Sequence, residues 1–250
     1  MSSECETPQP VAHSGAQFTT THWSVVLAAG HDSSPDASAA LEQLCRAYWY
    51  PLYVYVRRRG HSPDHAADLT QSFFAHLLGG EFLQRVQRDK GRFRNYLLGA
   101  MNRFLRDDAE RTARQKRGGG QAIISLDALE AEERYRLEPP DPLDAETIFV
   151  RRWAMTVLDQ ALRQLEAEMR EAGKERLFAR LEGFLVGDKG GGTYAEAAAE
   201  LNVSEAAVKM TVTRLRARCR ELLRETIAQT VTTPVEVDEE YRALIAALRS

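Results

Sequence analysis

Apolar residues recur at three- and four-residue spacing from Ala39 to Leu248, and no alternating β-branched run bounded by Asn-Gly or Asp-Gly interrupts them. That spacing places apolar side chains along one face of a helix, whereas a half-buried strand needs a period of two. The chain is therefore expected to be all-α, with two small helical domains joined by an acidic linker. Its 250 residues, 44% of them hydrophobic, can bury a real core. The longest apolar runs, such as Trp23 to Ala29, fall far short of the roughly 20 residues that cross a bilayer. No membrane insertion is expected, and the protein is expected to be cytoplasmic.

Breaks in the helical pattern divide the chain. Residues 1–38 are a polar N-terminal extension with a short amphipathic helix around Trp23, Val26 and Leu27. Residues 39–117 form a first helical block. Leu41, Leu44, Tyr48, Leu52 and Tyr55 line its first helix, which Pro51 is expected to bend or divide. Ser62-Pro63-Asp64 starts the next helix, with serine as N-cap, proline at the first helical position and a carboxylate at the positive end of the dipole. After Gly79-Gly80, a long helix is expected from about Phe93 to Lys116. Gly118-Gly119-Gly120 marks the domain boundary, and residues 118–146 read as a flexible acidic linker. A second helical block covers 147–228, and a tail at 229–250 carries a short helix from Asp238 to Leu248.

Whole-chain charge argues weakly against a nucleic-acid partner, since the formal net charge is -3 and the pI about 6.1. The distribution argues the other way. Between Arg85 and Arg117, eleven basic residues stand against four acidic ones; between Asp127 and Glu146, eight acids stand against two arginines. In the basic segment Phe93, Leu97, Ala100, Met101, Phe104 and Leu105 mark a core face. Asn95, Asn102, Arg103, Arg106, Arg111, Arg114, Lys116 and Arg117 are left to other faces, beside the aromatic Tyr96. Such a set suits phosphate tracking or a single strand stacked on an aromatic ring, and equally suits a solvated helix face.

The second block contains a sharper pattern. Thr193-Tyr-Ala-Glu196 is a capping box that fixes the start of a helix running to Leu201. Asn202 can take the left-handed turn conformation, Val203 plugs the angle, and Ser204 caps a second helix extending to about Leu223. Small Ala198 allows close approach, while Leu201, Val203, Val208 and Leu215 are assigned to the shared core. This is helix-turn-helix grammar with the second helix as the reader. Ser204, Glu205, Ala206, Lys209, Met210 and Thr213 are expected near base edges, and Arg214, Arg216 and Arg218 near phosphates.

In the helix beginning at Pro63, Leu69, Phe73 and Leu77 form an apolar stripe, with Phe74 beside it. Asp64, Asp68, Gln71 and Ala75 fall opposite, on a face that suits a basic protein surface better than anionic DNA. Catalytic chemistry finds little support. Cys5, Cys45 and Cys219 match no zinc spacing, and the six histidines include no HExxH. In the glycine-rich stretch 187–193 the lysine precedes the last glycines and no strand leads in, which excludes a phosphate loop. No catalytic residue, metal site or cofactor is assigned, and the chain is not expected to be an enzyme.

In their order and spacing these blocks resemble the extracytoplasmic-function (ECF) type of bacterial RNA polymerase sigma factor, over roughly two thirds of the chain. The first block is similar to sigma region two, the linker lacks the extra middle domain of larger sigma factors, and the second block is similar to region four. The resemblance implies core RNA polymerase and promoter DNA as partners. By motif position it implies that Asp64, Asp68, Leu69, Gln71 and Phe74 dock on the polymerase clamp helices, with Phe74 open between docking and core. It further implies that the helix from Asn95 to Arg117 melts and reads the minus-10 element, and that Tyr194 to Arg218 reads the minus-35 element. An anti-sigma factor is a further partner the family allows; the extension and the tail receive no role. The competing expectation is a stand-alone helix-turn-helix transcriptional regulator with an N-terminal sensing or oligomerising helical domain, separable by whether promoter recognition requires core polymerase.

Overall fold

The structure, a computed structural model, describes residues 39–40, 45, 47–78, 92–114, 126–137, 143–185 and 192–249. Among them there are nine α-helices and no strand: α1 (Trp49–Arg58), α2 (Pro63–Leu78), α3 (Phe93–Arg114), α4 (Leu126–Leu137), α5 (Ala145–Glu171), α6 (Glu175–Leu181), α7 (Tyr194–Leu201), α8 (Glu205–Ala228) and α9 (Pro234–Arg249). A single 3-10 turn, Glu182–Phe184, follows α6. The helix expected around Trp23 and the glycine breaks at 79–80 and 118–120 lie outside the described residues.

Pro51 divides rather than bends. Residues 47–48 form a turn and α1 begins at Trp49, so the proline falls in the first helical turn, where its missing N–H costs no internal hydrogen bond. The helix that follows is buried from Pro51 through Val56, which makes it the centre of the first block. Ser62 starts α2 as expected: its hydroxyl accepts from the His65 amide at 3.4 Å, and its carbonyl from the Ala66 amide at 2.8 Å.

The segment expected to be a linker contains α4, and its acidity conceals a packed carboxylate. Glu132 is buried, accepts hydrogen bonds from the Tyr53 hydroxyl and from Arg57, and pairs with Arg136 on its own helix. Tyr135 on the same helix receives the Arg57 guanidinium over its ring, 4.8 Å from the centroid. Burial pushes the Glu132 carboxyl up, but the bonds from Arg57 and Tyr53 outweigh it and hold its pKa below the usual value.

The two helical blocks meet along α5. Asp144 caps this helix by accepting from the Glu146 and Thr147 amides, at 2.9 and 3.0 Å. Phe149, Trp153, Val157, Ala161 and Leu165 follow at four-residue intervals and are all buried. Near its start Phe149 lies 6.2 Å from the Tyr55 ring of α1 and 6.4 Å from Tyr48; along its length α5 also packs against α8 and α9. One continuous apolar cluster therefore runs from Ala40 to Leu244. The C-terminal helix completes that junction. Glu240 of α9 is 0% exposed, and both its carboxylate oxygens accept from the Arg94 guanidinium, at 2.8 and 2.9 Å.

Trp153→Ala should destabilise the fold by about 3–5 kcal/mol, the usual cost of emptying a core aromatic site; urea unfolding showing a loss below about 1 kcal/mol would refute the central place given to α5. Because the folded-state pKa of Glu132 is depressed, its contribution is present above the unfolded value near 4.5 and is lost as pH falls through the lower folded value. Glu132→Gln should therefore flatten the acid limb of the stability profile; superimposable acid limbs for the two proteins would exclude that linkage.

Candidate nucleic-acid interface

The helix-turn-helix is built by local hydrogen bonds. The Thr193 hydroxyl accepts from the Glu196 amide at 3.2 Å, and the Glu196 carboxylate accepts from the Thr193 amide at 2.9 Å, closing the capping box. At the other end of α7, Asn202 adopts φ 55, ψ 47. The Asn202 amide then reaches the Ala199 carbonyl at 3.3 Å and the Val203 amide the Ala198 carbonyl at 3.0 Å, the paired bonds of a Schellman turn. Ser204 opens α8 by accepting from the Ala207 amide at 3.2 Å. Ala197 and Ala198 are buried at the crossing, as are Val208 and Leu215. Leu201 is only half-buried, and Val203 departs from its expected role: it is 46% exposed. The Schellman bonds set the turn angle through the backbone, so no side-chain plug is needed.

On α8, Glu205, Ala206, Lys209, Met210, Thr213 and Arg214 are all exposed and recur at helical spacing on one face. Lys209 pairs with Glu205 at 2.7 Å, and its ammonium lies 5.7 Å from the Tyr194 ring. Arg216 and Arg218 are placed differently. Arg216 donates twice to the Phe184 carbonyl, at 3.0 and 2.6 Å. Arg218 forks onto Glu168 of α5, at 3.0 and 2.7 Å, and also bonds Glu221 and Glu225. The Glu168 hydrogen bond, followed by those to the other two carboxylates, pushes the Arg218 pKa up. These two arginines tie α8 to its support.

The basic helix α3 divides similarly. Asn95, Arg103, Arg106 and Arg111 are exposed. Asn102 is half-buried and accepts from the Tyr55 hydroxyl through its side-chain oxygen, at 2.5 Å. Tyr96 is 5% exposed, inside the core rather than on a stacking surface. Arg114 ends the helix, while Lys116 and Arg117 lie outside the described residues.

On α2, Asp64 and Gln71 are exposed and Asp68 is half-exposed, so the acid and amide face is solvent-facing. Leu69 is buried, and Phe74 joins it in the core at 7% exposure, with its ring 5.5 Å from Phe73. Phe73 in turn packs edge-to-face on Phe104 of α3 at 5.7 Å. The residue left open between core and docking therefore lies in the core.

Sequence reasoning missed Arg92, Arg94 and Glu240. Arg92 and Arg94 read as two more members of a basic run, and their shared acceptor lies 148 and 146 residues further on. No local signal joins them.

Among the described residues, no group of three or more histidines, cysteines or carboxylates could hold a metal ion, and no helix is long and apolar enough to cross a membrane. Cys45 and Cys219 are buried. Comparisons with curated proteins and with solved structures found no match. The family model described as ECF sigma factor matches residues 35–225, from before α1 almost to the end of α8. With both helical blocks inside that match and the helix-turn-helix at its end, the chain belongs to the ECF sigma factor family.

Proposed function

We propose that this protein binds core RNA polymerase and directs promoter-specific transcription initiation, α8 reading the minus-35 element as duplex and α3 the minus-10 element as single strand. The observation that carries this reading is the exposed face of α8, Glu205, Ala206, Lys209, Met210, Thr213 and Arg214, presented by a turn with complete caps inside the family match. Side chains from the first turns of such a helix reach base edges in a major groove, and Arg214 beyond them meets phosphate.

The remaining roles follow exposure. Asn95, Arg103, Arg106 and Arg111 carry the minus-10 contacts, with Asn102 at their edge. Asp64, Asp68 and Gln71 form the polymerase-docking face, and Leu69 and Phe74 support it from below. Residues 39–117 act as the polymerase and minus-10 unit, and residues 147–228 as the minus-35 unit. The protein supplies specificity rather than a chemical step. Two modest readers on one chain gain affinity by acting together, and an anti-sigma factor covering either would silence the pair.

The deciding experiment adds purified protein to core polymerase and sequences the DNA that the holoenzyme binds. Promoter-specific binding that needs both components supports the reading, whereas tight operator binding by the protein alone would replace it with a stand-alone regulator. Asp68→Lys should weaken core association while leaving the circular dichroism melt unchanged; wild-type association would remove Asp68 from the docking face. Arg214→Ala should lower promoter affinity and reduce the salt slope by about one. Arg218→Ala should instead lower the unfolding midpoint, because it strips the anchor from Glu168; an unshifted midpoint with a reduced salt slope would mean Arg218 leaves Glu168 for phosphate.

A further inference from the structure

The outward face of α8 is apolar along its centre. Leu137, Val203, Met210 and Val235 are the exposed large apolar side chains among the described residues, and Val203 and Met210 both belong to the helix-turn-helix. Met210 is 55% exposed. Exposed Ala206 stands four residues before it and exposed Thr213 three residues after it, so the three share one line of the helix surface. Val208, Val212, Leu215 and Cys219 pack into the core on the opposite side. Met210 is therefore turned away from the core that an apolar side chain would ordinarily join.

The polar side chains beside that line already hold partners within the protein. Glu205 pairs with Lys209 at 2.7 Å, and the Lys209 ammonium also faces the Tyr194 ring, which stacks on Phe184 with centroids 4.8 Å apart. The Thr213 hydroxyl donates to the Lys209 carbonyl at 2.9 Å, which turns its oxygen toward the backbone and leaves its methyl as the outward end. The Ser204 hydroxyl accepts from the Ala207 amide. Without breaking a bond, the centre of this face offers a thioether and methyl groups. Exposed Arg214 flanks it on one side and exposed Arg220 on the other.

Duplex DNA carries one apolar group among its major-groove base edges, the C5-methyl of thymine. A helix lying in that groove turns its central line to the base edges and its flanks to the phosphates. An apolar centre between two arginines is complementary to that surface in both respects. The unbranched, polarizable thioether of methionine also adapts its shape to the group it meets.

We propose that the helix-turn-helix reads its duplex element through thymine methyl groups. Met210 makes the central contact, Ala206 and Thr213 extend it along the groove, and the Glu205–Lys209 pair stays closed and carries no base preference. This inference rests on the sigma-factor reading and names what the minus-35 element must contain: a thymine, on either strand, where Met210 meets the groove.

The test uses the full-length protein with core polymerase. The holoenzyme selects its promoter from a random synthetic duplex library, and each thymine of the selected minus-35 element is then replaced singly by deoxyuridine, which removes the methyl group and keeps every hydrogen-bonding group. Wild-type holoenzyme should bind at least one of these duplexes about fourfold more weakly, the effect of one methyl left unburied. That ratio should persist as salt rises, because methyl burial releases no counterion. Met210→Ala should bind the thymine and deoxyuridine duplexes equally while keeping the wild-type circular dichroism melt, and Glu205→Gln should retain the difference. Undiminished wild-type affinity for every deoxyuridine duplex, or a loss that persists in Met210→Ala, would overturn the proposal, as would a selected minus-35 element without thymine on either strand. Weakened core polymerase binding by Met210→Ala, with thymine discrimination intact, would assign the face to the polymerase instead. A holoenzyme that selects no sequence at all would remove the sigma-factor reading itself, and this inference with it.

Discussion

Trp153 is the side chain on which the arrangement turns. Wholly buried on α5, it lies under the Arg94 guanidinium that pairs with Glu240, and its helix packs Phe149 against Tyr48 and edge-on to Tyr55. Four helices from distant parts of the chain, α1, α3, α5 and α9, are referenced to this one region. A carboxylate is tolerated at this depth because both its oxygens accept hydrogen bonds and a second arginine stands near. Burial pushes the Arg94 guanidinium down, but the Glu240 hydrogen bonds and charge outweigh it and hold its pKa above the ordinary value.

The arginines show how packing assigns different tasks to one residue type. On α8, Arg214 faces solvent while Arg216 and Arg218 hold the helix to the Phe184 carbonyl and to Glu168. On α3, Arg94 turns inward to Glu240 while Arg103 and Arg106 face outward. A DNA-binding surface is what remains of a basic segment once internal carboxylates and carbonyls have taken their share. Counting positive charges along a segment therefore overstates its phosphate contacts.

The legible parts of the fold were those governed by neighbours a few residues away. The capping box at Thr193 and Glu196, the left-handed turn at Asn202, the Ser204 cap and the Ser62-Pro63 start all stand as read, since each is closed by hydrogen bonds within three to five residues. Pro51 was read as a bend or a division, and the turn before it makes it a division. The side chains that local pattern could not place were those decided by distant partners. Phe74 and Tyr96 carry no mark telling a core aromatic from a stacking one, and burial came from the helices packed over them. Glu132 read as one more acid in a linker, because Tyr53 and Arg57, its partners, lie 79 and 75 residues away.

Periodicity, capping and turn chemistry act over a single turn of chain, so the residues alone set the all-α class, the starts of α2, α3, α7 and α8, the helix-turn-helix and the family. Only the tertiary structure decided which charges face outward, whether the two blocks touch, and that the C-terminal helix reaches back to the head of α3. Those outcomes depend on desolvation and on pairing between residues up to 148 positions apart, such as Arg92 and Glu240, which no local pattern records.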